Sequence, residues 1–237
     1  RSTHCISSAA SDVYKRQVEA LLRWSSPELG NVSPDEFISV AEETGVIVKI
    51  GYFVLEEASK TYMDWKSRGV ELDWMAVNLS SIQFRQEDML QNFKSIMSKT
   101  GIPPEKLEME ITERCIMEHT EANLTVLDEL RKMGTTISID DFGTGYSSMS
   151  HLKTLPLDNL KIDKSFVDNL PIDENDKEVS KAIIALSHSL GYKVVAEGIE
   201  NKEQEDFLRE QGCDFGQGFY FSRPLDSEAF ISFIKNH

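Results

Sequence analysis

Five acidic residues, Glu19, Glu110, Asp140, Asp141 and Glu197, carry the chemistry this chain could perform. Asn78 and Lys161 fall into the same pattern, because from residue 75 onward each of these groups sits near the end of a short apolar run. One acid in such a place is usually a helix cap or a solvated loop residue. Five gathered at one point would repel by about 4 kcal/mol per pair at about 4 Å and an effective dielectric near 20. A fold can carry that only by protonating the groups, dispersing them or binding cations. Oxygen ligands with one amide suit Mg²⁺ or Mn²⁺ rather than Zn²⁺, which favours Cys and His. The adjacent Asp140 and Asp141 let one carboxylate bridge two ions while its neighbour holds the second. Two ions about 3.5–4 Å apart can stabilise both the attacking and the leaving oxygen of a phosphoryl displacement.

Such convergence needs elements that bring distant residues together, and the sequence alternates accordingly. MAVNLS (75–80), LEMEIT (107–112), TISIDDF (136–142), LKID (160–163), KVVAEG (193–198) and FGQGFYF (215–221) read as strands. Between them run helical patterns over about 52–68, 87–100, 118–133, 176–190 and 202–211, with a short one near 147–153 and a closing one at 226–235. Ser33-Pro34-Asp35-Glu36 reads as a capping box with Pro at the first helical position, opening a helix that Gly45 stops. Gly69, Gly101, Gly134, Gly191 and Gly212 fall just past the other helices, where glycine takes the left-handed conformation without penalty. Strands separated by helices imply parallel pairing through crossovers. About seven strands fit an open doubly wound sheet or a barrel. The polar strand ends favour the barrel, where they meet on one face.

The 237 residues suit one large α/β domain. A net charge of −15 argues against binding a nucleic acid polymer, which needs a basic face. It permits a small phosphate ester if cations intervene. No apolar run approaches a bilayer span. Cys5, Cys115 and Cys213 lack metal-type spacing, and an odd, sparse set fits a reducing, cytoplasmic compartment.

Glu19-Ala20-Leu21 within VEALLRW, VNLS (77–80), EITE (110–113), DDFGTGYSS (140–148), LKIDKSF (160–166), AEGIE (196–200) and QGFYFSRP (217–224) together resemble the EAL domain family. The tripeptide alone is weak, whereas seven blocks in family order across 18–225 are specific. The resemblance implies a modified (β/α)₈ barrel that hydrolyses cyclic di-GMP to linear pGpG with two Mg²⁺ or Mn²⁺ ions. By the same resemblance Glu19, Asn78, Glu110 and Asp140 hold one ion, and Asp140, Asp141 and Glu197 the second. Lys161 resembles the catalytic lysine, with Glu19 and Glu197 beside it in the chemistry. Arg23 resembles the phosphate-contacting arginine, Gln217 and Glu200 resemble residues that line the site, and Glu113 resembles the residue that steadies the loop after Asp141. Homodimerisation, N-terminal sensory or GGDEF domains and membrane anchors in a longer protein are further implications.

Plainer readings stand beside these. Arg23 could be a surface ion-pair partner, and Lys161 could pair with Asp163. Gly143 and Gly145 could serve only a tight turn. Phe219-Tyr220-Phe221, Trp24, Trp65 and Trp74 are assigned to packing. Other functions also fit in outline: a non-catalytic cyclic di-GMP receptor, a dimerisation module, or another metal-dependent barrel lyase. Residues 1–17, RSTHCISSAASDVYKRQ, lack periodicity and read as a non-native segment preceding a domain at 18–237. They stand where the family has a strand with Gln-Pro-Ile or Gln-Pro-Val. The sequence therefore predicts a barrel lacking its first antiparallel strand, an unpaired edge at Val18–Trp24, lower stability and self-association.

Overall fold

A computed structural model describes residues 5–9, 17–117, 121–145 and 152–236. Ten strands occur among them: β1 (Cys5–Ala9), β2 (Gln17–Leu21), β3 (Trp24–Ser26), β4 (Gly30–Val32), β5 (Trp74–Asn78), β6 (Leu107–Thr112), β7 (Thr136–Phe142), β8 (Asn159–Ile162), β9 (Lys193–Ala196) and β10 (Phe215–Gly216). The helices are α1 (Pro34–Glu43), α2 (Ile47–Ser67), α3 (Ser81–Phe84), α4 (Met89–Thr100), α5 (Glu113–Met117), α6 (Glu121–Lys132), α7 (Glu174–Leu190), α8 (Lys202–Glu210) and α9 (Ser227–Asn236).

The main sheet runs β1-β2-β5-β6-β7-β8-β9-β10, while β3 and β4 form a separate hairpin. From β2 to β10 every pairing is parallel, which gives the seven expected parallel strands. The sheet curls, so that Gln217, just past β10, reaches Glu19 on β2, and the Trp74 and Phe215 rings meet edge to face at 5.8 Å. This is the barrel-type fold that the polar strand ends suggest.

Alternation along the strands separates two environments. Met109 and Ile111, Ile137 and Ile139, Leu160 and Ile162 are buried apolar positions in the hydrophobic core. Between them Glu108, Glu110, Ser138, Asn159 and Lys161 are buried and polar. In a barrel one set faces the helices and the other the interior. Trp65 on α2 is fully buried, stacks on Phe230 at 4.5 Å and donates from Nε1 to Ser227 Oγ at 2.8 Å, locking α9 down. No helix among the described residues is long and apolar enough to cross a membrane.

Several expectations need correction. The edge of β2 is not bare: Cys5–Ala9 pairs antiparallel with it, from Cys5 opposite Leu21 to Ala9 opposite Gln17. The first antiparallel strand is thus present, because a ladder is made by backbone groups that any non-proline residue supplies. The capping box at Ser33 is not closed. The Ser33 side chain makes no cap bond, since its carbonyl already accepts from the Glu36 and Phe37 amides. A complete box forms instead at Asn201 and Gln204. The last strand covers only Phe215–Gly216, after which the Phe221 amide folds back onto the Gly218 carbonyl. Phe219 and Tyr220 are consequently exposed, with Arg223 4.8 Å above the Phe219 ring, and Trp24 is also exposed. The helix expected at 118–133 is α6, a separate short helix α5 precedes it, and most of the one near 147–153 lies outside the described residues.

Candidate functional site

The mouth of the curled sheet collects the strand ends. Lys161 on β8 is 1% exposed. Its Nζ lies 2.6 Å from Glu110 Oε1 on β6, 3.2 Å from Asp140 Oδ1 on β7 and 2.5 Å from Glu197 Oε1 just past β9. None of the three is aligned as a hydrogen bond, so the ammonium is held by charge within a cage of acids. Burial alone would lower its pKa, but Asp140, Glu110, Glu197 and Glu19 outweigh burial and hold it well above the ordinary lysine value.

The acids respond in the opposite sense. Burial pushes Glu110 well above the usual carboxylate range against the pull of Lys161. Burial is also the main reason Glu197 rises to about 8, with Lys161 opposing it and Asp140 adding to it. At the exposed rim, burial, Asp140 and Asp163 bring Asp141 to about 6.

Glu19 is held by amides. Asn78 Nδ2 donates to its Oε1 at 2.6 Å, and Gln217 Nε2 to its Oε2 at 2.6 Å. Neither amide cancels its charge.

Neighbouring residues on a regular strand face opposite ways, yet Asp140 and Asp141 reach the same site. The ladder between β7 and β8 slips between Ile139 and Phe142. Asp141 adopts a left-handed backbone at φ 55°, and its amide donates to Asp140 Oδ1 at 3.0 Å. Asp is one of the few residues to tolerate that conformation, and the irregularity turns both carboxylates toward Glu197. Beyond it, Glu113 Oε2 accepts from the amides of Gly143 at 3.1 Å and Gly145 at 3.3 Å.

The geometry suits divalent cations. Asp140, Asp141 and Glu197 each offer an oxygen, all within 4.8 Å of one another. Glu110 Oε2 is buried with no hydrogen-bond partner, a costly state that a cation would relieve. The donors are carboxylates and an amide, the set that hard cations prefer.

Two residues singled out in the sequence stand apart from this cluster. Arg23 follows β2, donates to the Leu22 carbonyl at 2.9 Å and lines an apolar groove of about 540 Å³ with Trp24 and Phe37. Glu200 is exposed and paired with Lys164 at 2.5 Å. A group that sequence reasoning missed lies beneath the cluster: Glu108, Ser138 and Asn159, each two residues before a site residue on its strand. A period of two counted back from Glu110, Asp140 and Lys161 would have found them.

The chain is thus a barrel-type fold whose rim gathers acids around one lysine, and comparison with known proteins gives the family. The EAL domain profile matches residues 9–224, and the chain belongs to that family. The chain is 44% identical over 216 residues to the signaling protein YkoW of Bacillus subtilis, covering 91% of this chain and 27% of that protein. It is 42% identical over 218 residues to the bifunctional diguanylate cyclase/cyclic di-GMP phosphodiesterase MucR of Pseudomonas aeruginosa, covering 92% and 32%. A solved structure described as the PaMucR phosphodiesterase in complex with c-di-GMP superposes with a TM-score of 0.91 at 40% identity, covering 97% of this chain and 93% of that one. The EAL domain of Mycobacterium smegmatis DcpA gives 0.85 at 29%, covering 100% and 98%. The chain thus spans roughly a quarter to a third of the curated relatives named here.

Proposed function

We propose that this domain hydrolyses cyclic di-GMP to linear pGpG. The observation that carries the reading is the buried Lys161 ammonium caged by Glu110, Asp140 and Glu197, with Asp141 beside them. The phosphodiesterase names and the cyclic di-GMP complex among relatives supply the substrate class.

Glu19, Asn78, Glu110 and Asp140 would hold one Mg²⁺ or Mn²⁺ ion, and Asp140, Asp141 and Glu197 the second. A half-turn of the Asn78 amide would offer its oxygen in place of the nitrogen now on Glu19. Bound divalent ions supply charge neutralisation and a more acidic water. The protein's own groups set the geometry. Lys161, kept charged by its acids, points N–H bonds at the attacking water; accepting a proton becomes feasible only when cations take over those acids. Water attacks phosphorus in line, the P–O3′ bond breaks, and a proton ends on the departing 3′ oxygen. Gln217 fixes Glu19, and Glu113 steadies the loop through Gly143 and Gly145. Arg23 would contact a phosphate after leaving the Leu22 carbonyl, and Glu200 would line the outer rim.

The same reading places residues 18–237 as the native domain, in the cytoplasm, as a homodimer attached to sensory or GGDEF domains. It takes residues 1–17 as non-native, and a genomic read encoding SDVYKRQ would overturn that part.

Incubation of the protein with cyclic di-GMP and Mn²⁺ should yield pGpG, and Glu19→Ala and Lys161→Ala should abolish turnover. Turnover surviving removal of metal would refute the mechanism. Binding without turnover would make the domain a receptor.

A further inference from the structure

We propose that Glu108 is a positioning residue: from beneath the site it ties three strands together and so fixes the relative heights of Glu110, Asp140 and Lys161. The inference rests on the phosphodiesterase reading for its activity readout only.

Glu108, Ser138 and Asn159 lie on β6, β7 and β8, each two residues before a site residue. Two residues along a strand restore the same face, about 6.6 Å lower. The ladder sets Ser138 beside Glu110 and Asn159 beside Ser138, so Glu108 reaches diagonally toward the mouth. There its Oε1 accepts from both Ser138 Oγ and Asn159 Nδ2, the latter at 2.7 Å. Three strands that each present a site residue are thereby joined at one side chain.

Burial makes the tie exacting. Glu108 is 4% exposed, Ser138 0% and Asn159 3%, so bulk water does not replace a lost partner. An apolar residue would fill the space at less cost, since a buried carboxyl is stabilised only by its hydrogen bonds. Parallel strands can shift along one another, and a shift here would move Lys161 against the acids it contacts at 2.5–3.2 Å. A misplacement of about 1 Å can cost on the order of a hundredfold in rate.

The test compares Glu108→Gln, which keeps an oxygen able to accept from Ser138 and Asn159, with Glu108→Leu, which keeps bulk without it. The Leu variant should lose about 30-fold in kcat with KM changed less than about threefold. Its Mn²⁺ affinity, measured by titration calorimetry without substrate, should fall about tenfold, the size expected for a lost support behind a ligand. The Gln variant should stay within about threefold of the parent in both. A folded Leu variant with parental kcat and Mn²⁺ affinity overturns the proposal, as does a Gln variant as impaired as Leu. If Leu does not fold, Ser138→Ala combined with Asn159→Ala removes the donors, and parental Mn²⁺ affinity there overturns it too. Absence of turnover by the parent would defeat the phosphodiesterase reading alone, because the Mn²⁺ series needs no substrate.

Discussion

Acidification should release divalent ions from this site along a curve set by its raised carboxyls, Glu110, Glu197 and Asp141. Glu197 is raised from 4.5 to about 8, chiefly by burial, and Asp141 from 3.8 to about 6, again chiefly by burial. Only ionised carboxylates ligate, so an ion arriving at pH 7 must displace the proton from about nine-tenths of the Glu197 side chains. Each pH unit below 8 should weaken binding at least about tenfold, or about 1.4 kcal/mol. Below about pH 6 Asp141 joins and the slope steepens toward about a hundredfold per unit. Above pH 8 the contribution of Glu197 should flatten. The same shift bears on the metal-free fold with a definite sign. Its native state keeps a proton that the unfolded chain releases near pH 4.5, so stability is full below that value. Stability then falls as pH rises through 8, by about 5 kcal/mol in total from Glu197. Titration calorimetry with Mn²⁺ from pH 6 to 9, in two buffers of different ionisation enthalpy, measures both affinity and protons released. At least about one proton should leave at pH 7, and Glu197→Gln should weaken the dependence between pH 6 and 8. Parental affinity that stays constant across that window, with no proton released, refutes the reasoning.

Lys161→Met should lower turnover by at least about a hundredfold. It should also destabilise the metal-free protein in urea denaturation with chelator, because the acids around Nζ lose the cation they contact at 2.5–3.2 Å. Glu113→Ala should free the amides of Gly143 and Gly145, with a local cost of about 1–3 kcal/mol and faster hydrogen exchange at those two positions. Gly218→Ala should destabilise by about 3 kcal/mol in the same denaturation assay, since its Cβ would lie 2.1 Å from the Ile199 carbonyl oxygen, which is backbone and cannot swing away.

Much of the fold was legible because strands and helices alternate with clear punctuation. LEMEIT and TISIDDF coincide with β6 and β7 end to end, since apolar runs flanked by polar turns leave few alternatives. Gly101 and Gly191 cap α4 and α7 in left-handed conformations at φ 75° and 84°, as their places after apolar stripes imply. Legibility failed where backbone groups made the decision. Nothing in CISSA advertises a strand, yet its ladder on β2 depends on amides and carbonyls alone. Ser33 has the sequence of a cap, but its own carbonyl satisfies the amides that its hydroxyl would have bonded. In FGQGFYF the apolar content suggests burial, whereas the turn after Gly216 lifts Phe219 and Tyr220 into solvent. At the site, Glu19, Glu110, Asp140 and Glu197 announced themselves as acids among apolar neighbours. Glu108 passed as an ordinary member of its strand, because its importance lies in reaching sideways, which a linear pattern does not display.

The slipped register at the end of β7 gives the paired aspartates an unusual dependence on chain path. Straightened into regular pleating, the segment would send Asp141 away from Asp140 with neither residue altered. Whether one ion or two can be accommodated is therefore written into backbone torsions as much as into ligand identity. A β-branched residue at 141 would restore the straight course and remove a carboxylate in the same stroke.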